Sequence, residues 1–171
     1  MTQLLLSETL PSPVGAITIL TDAAGVLRAL EFEDYHDRME RLLRLHYPGG
    51  WRVDPASAPS DAMRAMTAYF AGDLAAIEAL PTATGGTAFQ RAVWAALRDV
   101  RAGRTVAYGD IAAAIGRPGA MRAVGMANGA NPIAIVVPCH RIIGRSGMLT
   151  GYAGGLARKQ WLLTHERAML A

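Results

Sequence analysis

Residues 12–22, SPVGAITILTD, alternate loosely between apolar and polar positions, turn at Ala23-Ala24-Gly25 and resume as VLRALEFED. Such alternation about a small-residue turn predicts a hairpin with one buried face. From Arg38 the period changes. Met39, Leu42 and Leu43 in RMERLLRLH (38–46) fall at helical spacing, and Pro48-Gly49-Gly50 ends the run. A Pro/Ser/Ala-rich stretch, DPASAPSDA, leads into a second helix around Met63–Phe70, and LPTATGG (80–86) has the small, turn-forming residues of a linker. Beyond it Thr87 is placed to cap a helix over Ala88 to about Val100, with Phe89, Val93, Trp94 and Leu97 on one face.

The remainder reads as short helices and then loops. A short extended piece after Gly103 precedes a helix over Gly109–Ile115. Gly116-Arg117-Pro118-Gly119 forces a turn, and a second helix covers Ala120–Asn128, closed by Gly129. Two short helices about a glycine-containing turn predict a helix-turn-helix. In the second helix Ala123, Gly125 and Ala127 are small enough to let a backbone approach a surface, with Arg122 near the start. Ile133 to Val137 form an unbroken apolar run that predicts a buried strand stopped by Pro138. GRSGMLTGYAGG (144–155) predicts a pliable loop in which Tyr152 either walls a pocket or is an ordinary half-exposed aromatic.

Charge changes the picture. The 171 residues are 51% hydrophobic and 18% charged, as expected of a globular chain with a core. Residues 1–85 hold 6 of the 17 Lys+Arg and 11 of the 14 Asp+Glu, a balance of −5; residues 86–171 hold 11 and 3, a balance of +8. The asymmetry predicts that the second half meets a polyanion and divides the chain near Gly85-Gly86. One cysteine forms no internal disulfide and no thiolate zinc cluster, which points to a reducing, cytoplasmic setting. The opening MTQLLLSETLPSPVG lacks the basic region of a secretory signal, and no window has the length of a membrane span.

That single cysteine, Cys139, is followed by His140 and Arg141. A thiol among branched aliphatics is ordinarily an inert filler. Pro138 changes this by placing Cys139 at a turn or helix start, where backbone N–H groups favour thiolate. A Cys-His pair needs a third group to orient the imidazole, and Asp99, Asp110 and Glu166 are the candidates in the second half. His165-Glu166 is no zinc-protease motif, since Met169 stands where the second histidine would be, and His36 and His46 sit among charges as solvated side chains. No metal site is expected.

VVPCHRIIG closely resembles the active-site signature of the O6-alkylguanine-DNA alkyltransferases, the methylated-DNA–protein-cysteine methyltransferases. The likeness runs from TAFQRAVWAALRDVRAGRTVAYGD through GRPGAMRAVGMANGANPIAIVVPCHRIIG to LTGYAGGLARKQWLLTHE, over residues 87–166, and more loosely over the first 85. It implies an α+β fold. A small N-terminal α/β support domain (1–85) would be RNase H-like, an antiparallel sheet plus helix. A mainly helical winged helix-turn-helix domain (86–171) would bind DNA and carry the acceptor.

The activity implied is direct repair. O6-alkylguanine, and secondarily O4-alkylthymine, is flipped out of double-stranded DNA and its alkyl group passes irreversibly to Cys139, once per molecule. In that scheme His140 deprotonates Cys139 through a water, Glu166 orients His140, Asn131 is a hinge and Tyr108 donates to the leaving guanine. Tyr152 lines the base pocket, with backbone groups at Ile142 and Ala153 on guanine's edge. Arg122 fills the vacated stack, and Ala123, Gly125, Ala127 and Asn128 complete the minor-groove surface. The family acts without a cofactor and as a monomer, with cooperative binding on DNA left open. Met121 and Ala153 depart from common family choices, and the N-terminal domain lacks the cysteines by which some members bind structural zinc. The rivals are a Cys-His hydrolase, which would turn over steadily, and a non-catalytic helix-turn-helix protein, which would tolerate Cys139→Ala.

Overall fold

In the computed structural model, residues 1–144 and 151–168 are described; residues 145–150, half of the glycine-rich loop predicted at 144–155, therefore lie outside the described residues. The chain forms two units. One comprises Met1–Gly86 together with Pro132–Val136, and the other Thr87–Asn131 together with Val137–Ala171.

The first unit is built on a four-stranded sheet of order β3-β2-β1-β4. Strand β1 (Gln3–Leu10) pairs antiparallel with β2 (Ile17–Thr21), which pairs antiparallel with β3 (Leu27–Phe32). The hairpin predicted around Ala23–Gly25 is thus β2–β3, and Gly25 takes the left-handed conformation (φ 84°) that the turn needs. The sheet is mixed rather than wholly antiparallel. Strand β4 (Trp51–Pro55) lies parallel to β1, with Gln3 opposite Trp51 and Ser7 opposite Pro55. A parallel neighbour needs a long crossover, and helix α1 (His36–His46) provides it. Met39 and Leu43 of α1 pack with Leu5, Leu20 and Ala29 of the sheet, against the half-buried rings of Tyr47 and Trp51. Helix α2 (Asp61–Phe70) is capped by Ser60, whose Oγ accepts from Met63 N–H at 3.1 Å.

Ile133–Val137 is buried as expected but is not a strand. Only Ile133 pairs, in a single bridge to Leu30: Leu30 N–H donates to Pro132 O and Ala134 N–H to Leu30 O, both at 3.0 Å. Beyond that the chain folds into tight turns. Val136 N–H donates to Ala134 O and Cys139 N–H to Val137 O, each at 2.8 Å, and Ile135 stands at φ 70°. A β-branched residue in the left-handed region is strained and persists only where its surroundings dictate it.

In the second unit, α3 (Ala88–Arg98) opens on the capping box its sequence carries: Thr87 Oγ1 accepts from Gln90 N–H at 3.1 Å and Gln90 Oε1 from Thr87 N–H at 3.0 Å. Val93, Trp94 and Leu97 are buried. Helices α4 (Tyr108–Ala114) and α5 (Met121–Gly129) form the helix-turn-helix, with Gly116 at φ 75° in the turn between them. Gly129 ends α5 as its last helical residue rather than as a left-handed cap. Trp94 Nε1–H donates to Ala127 O at 2.9 Å, fixing α5 to α3. The stretch read as loops contains a further helix, α6 (Leu156–His165), started by Gly155 at φ 96°. No winged sheet is formed among the described residues; Val106 and Ile142 make one isolated bridge. No helix among the described residues is long and apolar enough to cross a membrane.

Candidate active site

Pro138 ends the turns of the apolar run, and Cys139–Arg141 then coil into one 3-10 turn. The local geometry settles which way each side chain of Cys-His-Arg faces, and all three are buried. Cys139 is the one free cysteine. Its sulfur is held by Asn131, whose Nδ2 donates to Cys139 Sγ at 3.1 Å and to Val137 O at 2.8 Å. One amide therefore braces the turn and places a donor on the thiol, which favours thiolate.

His140 turns its other edge to the third group, which is Glu166 at the C-cap of α6: Nε2 lies 3.0 Å from Oε1 and 2.9 Å from Oε2. Asp110 is engaged elsewhere, accepting from Ala107 N–H at 2.8 Å at the start of α4, and Asp99 is the C-cap of α3. Glu166 is only 2% exposed. Burial would raise its carboxyl, but His140 and Arg141 outweigh burial and hold it well below the usual carboxylate range. Arg141 makes a two-pronged ion pair with it, Nε to Oε1 at 2.9 Å and Nη2 to Oε2 at 2.8 Å, and also donates to Val100 O.

An ionised Glu166 only accepts, so the proton of neutral His140 belongs on Nε2 and Nδ1 carries the lone pair. Burial pushes the imidazole down; Glu166 opposes this, and Arg141 and Lys159 add to it. His140 is thus a neutral base at ordinary pH. Its buried Nδ1 makes no hydrogen bond to the described residues. The Tyr152 ring meets the His140 ring edge-on, centroids 6.5 Å apart, so Tyr152 walls this site. Ala153 follows in a turn, and Ile142, next to the 3-10 turn, is fully buried with its carbonyl accepting from Lys159 Nζ.

The helix-turn-helix residues divide. Arg122 and Ala123 are exposed near the start of α5. Ala127 and Asn128 are buried, Ala127 under Trp94, because they fall on the side of α5 that packs inward. Gly125 is half-buried and its bare side faces Tyr108, where an added Cβ would lie 3.6 Å from the ring. Met126 is 73% accessible, and Met121 is exposed as well.

Two site residues escaped the sequence reading: Arg141 as the anchor of Glu166, and Lys159. Lys159, Leu162, Leu163 and Glu166 follow helical spacing through α6, a stripe in which two charged residues share an apolar face. That was the available signal. Among the described residues no group of three His, Cys, Asp or Glu side chains could hold a metal ion.

Known proteins resemble this chain over nearly its whole length. Residues 88–168 match the DNA binding domain, and residues 5–84 the ribonuclease-like domain, of the 6-O-methylguanine DNA methyltransferases. The chain is 55% identical over 167 residues to a methylated-DNA–protein-cysteine methyltransferase of Salmonella typhimurium, covering 97% of this chain and 98% of that one. Its fold is similar to the crystal structure of Mycobacterium tuberculosis OGT in complex with DNA (TM-score 0.78, 45% identity, 94% and 92% of the two chains). It is also similar to the O6-methylguanine-DNA methyltransferase of Pyrococcus kodakaraensis (TM-score 0.72, 26% identity, 95% and 98%).

Proposed function

The chain belongs to the family of the methylated-DNA–protein-cysteine methyltransferases, and from that premise we propose that it repairs O6-alkylguanine by moving the alkyl group onto Cys139. The observation that carries the assignment is the buried line of Asn131, Cys139, His140, Glu166 and Arg141 around one 3-10 turn. We assign DNA binding and alkyl acceptance to residues 86–171 and support to residues 1–85. A cytoplasmic setting keeps thiols reduced, the form that this reaction requires.

The lesion lies inside the duplex, so the nucleotide must be flipped out at a cost of a few kcal/mol of unstacking. Arg122, exposed on α5, is suited to fill the gap, with Ala123 against the groove. Contacts from the arginine-rich half would be largely independent of sequence. With the base beside Tyr152, His140 Nδ1 takes the proton of Cys139 through a bridging water while Nε2–H stays on Glu166. The sulfur then attacks the alkyl carbon: an S–C bond forms, the C–O6 bond breaks, and its electron pair leaves with guanine. Tyr108, at the first position of α4 and over Gly125, is the donor we assign to the departing base. The product thioether has no carbonyl for water to attack, so the protein is spent after one event. This distinguishes it from a Cys-His hydrolase, whose acyl thioester water can cleave.

Incubation with a duplex containing O6-methylguanine tests the proposal. One methyl group per molecule is expected, on the Cys139 peptide by mass, with a single burst of repair. Repair that turns over, or an unmodified Cys139 beside repaired guanine, would overturn it.

A further inference from the structure

Ile135 is fully buried and stands at φ 70°, a conformation that a branched side chain rarely adopts. Every other residue with positive φ among the described residues is a glycine, Arg167 excepted. Such an outlier persists only where its surroundings over-determine it. The turn it makes has a definite type. Val136 N–H donates to Ala134 O at 2.8 Å across Ile135, and with positive φ this is the rare, strained form of the γ-turn. Three residues on, Cys139 N–H closes a ring of the same size on Val137 O at 2.8 Å. Pro138 at its centre has φ −83° and ψ 64°, the relaxed inverse form.

The two turns are tethered from opposite ends. Upstream, Leu30 N–H donates to Pro132 O and Ala134 N–H to Leu30 O, so β3 holds the residue on which the first turn closes. Downstream, Asn131 Nδ2 donates to Val137 O and to Cys139 Sγ, so the second turn and the sulfur share one donor. Only Ile135 and Val136 lie between the tethers. Were the position merely a turn, glycine would serve there as it does at Gly25 and Gly116. Were it merely core, isoleucine would stand at an ordinary φ.

We propose that Ile135 is a positioning residue of the alkyl-transfer site, whose buried side chain locks the strained γ-turn and thereby fixes where the Cys139 sulfur stands. Displacement at carbon needs sulfur, carbon and O6 in line, so a small error in the place of the sulfur is costly. A glycine at 135 takes φ 70° without strain but takes other torsions as readily, and the sulfur loses its fixed place.

The inference rests on Cys139 being the acceptor. Ile135→Gly frees the turn, and Ile135→Val keeps a branched, buried side chain. With saturating O6-methylguanine duplex, single-turnover transfer is expected to slow about tenfold to a hundredfold in Ile135→Gly and to stay near the wild-type rate in Ile135→Val. The duplex Kd and the pH midpoint of Cys139 alkylation by iodoacetamide should not move, because the turn sets neither DNA binding nor the charge of the thiol. A folded Ile135→Gly with the wild-type transfer rate overturns the proposal, and so does a loss that follows a weaker Kd or a shifted midpoint.

A second measurement needs no variant. A locked turn keeps Val136 N–H on Ala134 O, so this amide should exchange with solvent deuterium as slowly as the most protected amides of α3. Exchange at the rate of exposed turn amides would mean that the turn opens freely, which also overturns the proposal. The mass of the Cys139 peptide after reaction with the methylated duplex reports the acceptor assignment separately.

Discussion

Asn131 shows how much one side chain decides at this site. Its amide makes two donations, to Val137 O and to Cys139 Sγ, and both are buried. The donation to sulfur strengthens as charge builds on it, since hydrogen bonds to charged groups contribute about 1.5–3 kcal/mol. Asn131→Ala is therefore expected to slow single-turnover transfer by about tenfold to a hundredfold. Rapid-quench kinetics with saturating methylated duplex would show it, and an unchanged rate would remove Asn131 from the transition state. Arg141 acts one step further out. Arg141→Met leaves Glu166 buried with half its partners gone, an error that costs about 3–5 kcal/mol when a buried pair is broken. Urea unfolding should register that loss. Cys139 and His140 are contiguous, so they were legible as chemistry in the sequence, whereas the partner that Arg141 anchors lies 25 residues away. Lys159 was not, because a lysine on an apolar stripe ordinarily snorkels its charge to water, and nothing local says that this one stays buried.

Elements divide by whether their cause is local. Thr87 and Gln90 define the start of α3 within four residues, and the structure has the capping box they predict. Thr87→Ala is expected to cost about 1 kcal/mol, read as a shifted unfolding midpoint. Strand β4 was illegible for the opposite reason. Its residues are mostly exposed, Val53 included, and it is a strand because β1 offers a free edge, not because it has an apolar face. Ile133–Val137 has strand composition, but Leu30 offers it only one bridge, and an apolar run without a ladder folds back on itself. On α5, composition marked the small residues while packing chose the face: Trp94 draws Ala127 inward and leaves Arg122 and Met126 outside. Arg122→Ala should lower the ratio of duplex repair to reaction with free O6-methylguanine base about tenfold. Only the duplex reaction carries the unstacking cost that Arg122 offsets. An unchanged ratio would place the stack-filling group elsewhere.

Across the whole molecule, three buried groups tie folding to pH in the same direction. Glu166 is held below its ordinary value of 4.5, His140 below 6.5, and Lys159 at about 8 against 10.5. In each case the unfolded chain binds the proton more readily than the fold does. Stability therefore rises with pH wherever one of them is protonated only in the unfolded state. For Glu166 the contribution is present above 4.5 and is lost as pH falls through its depressed value. For His140 the loss begins at 6.5 and deepens as pH falls, and for Lys159 it develops as pH falls from 10.5 to about 8. Each window contributes a slope of at most about 1.4 kcal/mol per pH unit, the value for one proton. Urea midpoints measured from pH 4 to pH 10 should rise through the alkaline window and lose that rise in Lys159→Met. The rise below neutrality should survive that substitution, since Glu166 and His140 remain. An alkaline slope that persists without Lys159 would mean that the buried ammonium is not the group that titrates.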